Sequence, residues 1–145
     1  KHSDAITICE ELVKINPENT EFHSFLREAH QLHGDELSAE QTDKLSTIYD
    51  GLKKDFPKCH AIDFLPLTFL KGDAFKEKYG VYASKALLKG VPSLFQTLKY
   101  LYTDADKVKI MEEWMLAERV KEENPDTQGI ASNIFWINFY LAQHY

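Results

Sequence analysis

Few side chains in this 145-residue sequence have the types and spacing that catalysis or metal binding requires. His30 and His33 stand three residues apart on an expected helix, and Cys59-His60 is expected in a loop. These imidazole and thiolate groups could bind zinc, but no C-x-x-C or H-x-x-x-H pair accompanies them. The sequence also contains no G-x-S-x-G, P-loop or G-x-G-x-x-G motif. We therefore expect neither a metal site nor catalytic residues in this chain.

Paired carboxylates such as Glu10/Glu11, Glu112/Glu113 and Glu122/Glu123 are the other candidates for acid–base work. Adjacent positions on a helix point about 100° apart, so neither member of a pair converges with the other on a substrate. They are expected to be solvated surface.

Lysines are concentrated in the middle of a chain whose net charge is −6. Residues 71–109 hold 8 basic and 4 acidic side chains, a balance of +4, whereas the segments on either side are acidic. One interpretation is an ordinary solvated helix face, and the other is a patch that binds RNA or an anion. No arginines are interleaved, which weakens the nucleic-acid interpretation. The candidate basic patch is Lys76, Lys78, Lys85 and Lys89.

The composition, 43% hydrophobic and 12% aromatic, is typical of a packed globular chain. Two cysteines are too few for a disulfide framework and suggest a reducing compartment. No apolar run approaches the ~20 residues that span a bilayer. We expect a soluble, cytoplasmic protein that makes no contact with membranes.

Helical spacing of the apolar residues predicts about seven helices and no strand. In the first part of the chain, Asn16-Pro17 should end one helix, Thr20 should cap the next and Gly34 should end it. Ser38 with Gln41 predicts a capping box that begins the third helix, which runs to Pro57.

The stretch 57–71 is expected to be mostly irregular, yet its apolar run Phe64–Leu70 must be buried. Beyond it, the expected helix boundaries are Asp73, Gly90, Pro92, Asp104, Pro125 and Thr127.

The spacing of the helix-ending prolines favours a repeat array over a closed bundle. Pro57 and Pro125 are 68 residues apart, which is twice the period of about 34 residues in tetratricopeptide repeats. We predict an all-α fold of antiparallel helical pairs of degenerate tetratricopeptide type, forming part of a right-handed α-solenoid. The chain should be one helical-repeat segment, with tetratricopeptide-like helices at 1–56, an apolar connector at 57–71 and further pairs at 72–145.

The segment 130–145 is apolar nearly all round, as expected of a helix that is covered on several sides. We expect the chain to be a piece of a longer array whose next repeat covers this helix. By itself the piece should associate with a second copy through its last helix. The predicted exposed packing face is Ile134, Phe135, Trp136, Phe139 and Tyr140.

Three segments carry a more specific resemblance: Leu65-Pro66-Leu67-Thr68-Phe69-Leu70 with the helix start that follows, Lys89–Tyr102, and Trp136–Tyr145. In this order and spacing they resemble the middle of the large auxiliary subunits of N-terminal acetyltransferase A (NatA) complexes. The stretch Ile62-Asp63-Phe64 departs from that pattern, in which basic residues are expected.

The resemblance implies a non-catalytic scaffold that wraps a GNAT-type catalytic subunit, directs it toward protein N-termini during translation and tethers it to the ribosome. It also implies that acetyl-CoA belongs to the catalytic partner and that an inositol polyphosphate can bind between the subunits. The nearest match in this chain to the acetyl-CoA loop, the segment 31–36, fails at its last position and places two carboxylates where phosphates would lie. A generic tetratricopeptide adaptor that binds peptide tails is the alternative.

Overall fold

The computed structural model describes residues 2–34, 36–124 and 131–145, and all of its regular structure is helical. The described residues form nine α-helical segments and no strand, which confirms the predicted all-α fold. The helices are α1 (His2–Ile15), α2 (Thr20–Ala29), α3 (Ala39–Asp55), α4 (His60–Phe64), α5 (Pro66–Phe69), α6 (Gly72–Lys89), α7 (Leu94–Leu98), α8 (Ala105–Glu123) and α9 (Ala131–His144), with a 3₁₀ turn at Lys99–Leu101 after α7.

Contacts divide the chain into two compact units, residues 1–70 and 71–145. In the first unit α1 packs on α2, and α3 contacts α4 and α5. Its core is formed by apolar side chains from all five helices and the segments between them, including Val13, Leu26, Leu32, Leu45, Tyr49, Ile62, Leu67 and Phe69. In the second unit α6 packs on α8 and α9, which also pack on each other. Its core includes Phe75, Tyr79, Ala83, Leu98, Met111, Met115, Ile137 and Tyr140.

Several sequence-predicted boundaries agree with the structure. Ser38 and Gln41 form the complete capping box, since each side chain accepts a hydrogen bond from the backbone N–H of the other. Asp104 caps α8 by accepting from the N–H groups of Asp106 and Lys107. Gly90 ends α6 in the left-handed conformation.

Other helix boundaries in the structure differ from those predicted from the sequence. Asn19, rather than Thr20, caps α2, because its side-chain oxygen accepts from the N–H of Glu21 at 2.9 Å. Helix α2 ends at Ala29, five residues before Gly34, in a Schellman motif whose left-handed residue is Gln31 (φ 59°). The buried side chain of Leu32 holds this turn in place. Lys71 occupies the N-cap position of α6, and Asp73 lies in its first turn. The cap predicted at Thr127 lies outside the described residues.

Within the connector 57–71, the apolar run Phe64–Leu70 is largely buried, as predicted, but the connector is not mostly irregular. It contains α4 and α5, which meet at Leu65 with helical backbone angles on that residue. Pro66 occupies the first turn of α5. A backbone N–H at this position would have no partner within the helix, so proline costs no hydrogen bond there. Four residues of this segment are buried: Pro66, Leu67, Phe69 and Leu70. The segment has no helical periodicity in its sequence, and the burial of its apolar side chains favours the short helices.

The turn after α1 is bonded to α2 and to the start of α4. The carbonyl oxygen of Pro17 accepts from His23 Nε2 at 2.7 Å and from the Cys59 thiol at 3.2 Å. The carboxylate of Glu18 accepts from the backbone N–H groups of His60 (2.8 Å) and Ala61 (3.0 Å), which places a negative charge at the start of α4. Burial alone would raise the pKa of Glu18, but these hydrogen bonds outweigh it and lower the pKa.

The His23 side chain is buried, and its two hydrogen bonds determine which ring nitrogen carries the proton. Since a carbonyl can only accept, Nε2 carries the hydrogen that goes to Pro17. Nδ1 therefore accepts from the Tyr49 hydroxyl, 3.1 Å away on α3. Burial lowers the pKa of His23, and a proton on Nδ1 would also remove the acceptor that Tyr49 uses.

We predict that the stability of the first unit depends on pH through His23. Because its folded-state pKa is lowered, the unfolded chain takes up the proton first as the pH falls. The contribution of His23 is therefore complete above about pH 6.5 and is lost as the pH falls through the lower folded-state value. Urea unfolding between pH 7.5 and 5 should show this loss in the wild type and a smaller one in His23→Gln. His33→Gln, at an exposed histidine outside these bonds, is the control for the substitution itself. Equal slopes for wild type and His23→Gln would contradict the prediction.

Gly90 lies at a close approach between the end of α6 and the indole of Trp136 on α9. It has φ +60°, and a Cβ on it would lie 2.7 Å from Trp136 Nε1. Both the backbone conformation and the contact therefore require glycine.

We expect Gly90→Ala to destabilise the second unit by at least about 1–2 kcal/mol, the usual cost of left-handed backbone for a residue with a Cβ. Gly51→Ala is the matched control, because Gly51 lies inside α3 with open space around the Cβ position. It should stabilise the chain by about 0.5–1 kcal/mol. Thermal unfolding of both variants measures the difference, and a neutral Gly90→Ala would show that this contact is not formed.

Candidate partner-binding surfaces

Helix α6 distributes the four predicted lysines over two edges instead of one patch. At about 100° per residue, Lys78, Lys85 and Lys89 lie within about 40° of one another around the helix axis, and Lys76 lies about 140–180° away from them. Lys76, Lys85 and Lys89 are exposed, and Lys78 is half-buried. The basic side chains therefore border a strip of α6 that lies between them.

That strip forms one wall of a surface groove of ≈ 580 Å³ between α6 and α8. Val81 and Leu88 are 55% and 64% exposed, although both are large and apolar. They are seven residues apart and share the side of α6 opposite the buried Phe75, Tyr79 and Ala83. The groove is lined by Lys76, Glu77, Gly80, Val81, Ser84, Lys85, Leu88, Trp114 and Glu118.

The groove has a rigid floor where α6 meets α8. A Cβ on Gly80 would lie 2.9 Å from Nε1 of Trp114, so the indole lies directly against the α6 backbone. The ring of Tyr79 meets the same indole edge-on, with centroids 5.4 Å apart. This groove was not predicted from the sequence. The i, i+7 spacing of Val81 and Leu88, off the core stripe of α6, is the signal that would have identified it.

Helix α9 exposes only part of the packing face predicted for it. Phe135 and Phe139 are 60% and 41% exposed, and their rings stack with centroids 6.3 Å apart. Ile134 and Trp136 are half-buried, and Trp136 lies against Gly90.

Tyr140 was predicted in this face, but it is 1% exposed. Its ring packs edge-on against Phe95, and its hydroxyl lies 3.1 Å from that of Tyr102. The Tyr102 hydroxyl in turn lies 2.7 Å from His144 Nδ1, and His144 Nε2 lies 3.6 Å from the Glu112 carboxylate on α8. The Tyr140 side chain can be buried because Tyr102 provides a hydrogen-bond partner for its hydroxyl within the second unit. Helical periodicity alone does not reveal this partner.

A second cavity, of ≈ 540 Å³, lies beside the first turns of α6 and α8. The Lys107 ammonium lies 5.2 Å from the centre of the Phe75 ring, and burial lowers the pKa of this lysine although Asp104 opposes the shift. Cationic and anionic side chains line the cavity in equal number, so it has no preference for a charged ligand. They are Lys71, Lys107, Lys109, Asp104, Asp106 and Glu113.

The sequence-predicted metal candidates serve helix ends. His30 follows the last residue of α2, and Cys59-His60 begins α4 through the bonds to Pro17 and Glu18. Within residues 2–34, 36–124 and 131–145, no three His, Cys, Asp or Glu side chains are grouped to hold a metal ion. None of the described helices is both long and apolar enough to cross a membrane.

Helices that pack on their neighbours within each unit are typical of helical-repeat proteins. The whole chain, residues 1–145, matches the family model for the auxiliary subunit of N-terminal acetyltransferase A, so the chain belongs to that family.

Individual relatives agree with the family assignment. The chain is 33% identical over 144 residues to the N-terminal acetyltransferase A complex auxiliary subunit NAA15 of Arabidopsis thaliana, covering 92% of this chain and 16% of the relative. It is 28% identical over 150 residues to the human N-alpha-acetyltransferase 16, NatA auxiliary subunit, covering 98% and 17%. The chain thus spans about a sixth of the length of these relatives.

Among solved structures, the chain is similar to one of Naa15/Naa10 bound to HypK-THB, with a TM-score of 0.85 and 28% identity. This match covers 99% of the present chain and 21% of the matched chain. The helical fold of the described residues is therefore that of the corresponding part of a NatA auxiliary subunit.

We predict that the exposed rings of α9 drive self-association of the isolated chain. Phe135→Glu with Phe139→Glu should shift sedimentation toward the monomer, because charge on both rings prevents their burial. Val120→Glu is the matched control, since Val120 is 66% exposed on α8 and belongs to neither α9 nor the groove. A wild-type chain that remains monomeric across the concentration range would contradict the prediction.

Proposed function

We propose that this chain is a scaffold segment of a NatA auxiliary subunit and supplies binding surface rather than catalytic groups. In this proposal the parent protein binds a GNAT-type catalytic subunit in the cytoplasm and holds it near the ribosome for acetylation of nascent N-termini. Acetyl-CoA is bound by the catalytic subunit.

The observation that carries the proposal is the family match over all 145 residues together with the structural likeness to Naa15 in a structure that also contains Naa10. The geometry agrees with a scaffold role. The Cys59 thiol donates to the carbonyl of Pro17 at the start of α4, and the exposed apolar side chains Val81, Leu88, Phe135 and Phe139 lie on helix surfaces. A generic peptide-binding adaptor is not favoured, because the match is to one specific subunit family.

Binding can activate a partner without adding a catalytic group. A scaffold that binds the active conformation of an enzyme more tightly than its other conformations shifts the population toward the active one. The shift is limited by the difference in affinity for the two states, and about 1.4 kcal/mol of that difference changes the ratio tenfold.

Co-purification of the full-length parent with the cognate catalytic subunit tests this proposal. We expect a near-equimolar complex whose acetylation of N-terminal peptides exceeds that of the catalytic subunit alone. A parent variant lacking the segment that corresponds to residues 71–145 should bind more weakly if the segment supplies contact surface. An unrelated helical-repeat protein of similar length serves as the control for nonspecific capture. Absence of a catalytic subunit from the wild-type purification would overturn the proposal.

A further inference from the structure

We draw no further inference here: the strongest candidate, the exposed apolar strip of Val81 and Leu88 on α6 beside the Trp114 indole, lies in a groove lined by equal numbers of cationic and anionic side chains, and nothing in the structure shows what covers it.

Discussion

The helices of this chain follow one another closely, and the structure depends on how their ends are satisfied within each compact unit. A helix leaves four N–H and four C=O groups without internal partners, and burying such an end costs free energy unless a neighbour supplies them. The carbonyl of Pro17 shows the solution in the first unit, where it accepts from His23 and Cys59 while Glu18 satisfies the start of α4. In the second unit the Schellman turn at Gly90 closes α6 and leaves just enough room for Trp136.

This use of polar groups explains what remains for function. The side chains of His23, Cys59 and Glu18 hold the turn after α1 to its neighbouring helices. What the second unit offers to a partner is shape and apolar area, in the α6–α8 groove and in the two exposed rings of α9. Under the proposed function, such surfaces act by binding, and binding selects among the conformations of the partner.

Much of the fold could be predicted from the sequence, because the strongest signals are local. The capping box at Ser38, the cap at Asp104 and the glycine at 90 are each determined by a few neighbouring residues. The stretch 57–71 was harder, since Pro66 and the surrounding apolar residues carry no helical period and fold into α4 and α5 only when buried. Gln31 was missed for the same reason: the buried Leu32 imposes a left-handed conformation that glutamine does not favour.

The candidate surfaces were only partly predictable. Lysine positions could be read from the sequence, but the division of these lysines into two edges required the direction of the α6 core stripe. Tyr140 belonged to an apolar run and looked like surface, yet Tyr102 and Phe95, about forty residues earlier in the chain, make it interior. Contacts between residues distant in sequence determine which side of an apolar helix is covered. Local sequence periodicity does not predict those contacts.

Hydrogen–deuterium exchange of the full-length parent, free and with the catalytic subunit, tests the central claim most directly. If this chain supplies partner-binding surface, amides of α6 around Val81 and Leu88 or of α9 around Phe135 and Phe139 should exchange more slowly in the complex. Amides of α2 and α3 near His23 and Tyr49, already held by internal bonds, should be unchanged. A complex that forms with full affinity and leaves exchange in α6 and α9 unaltered would contradict the account.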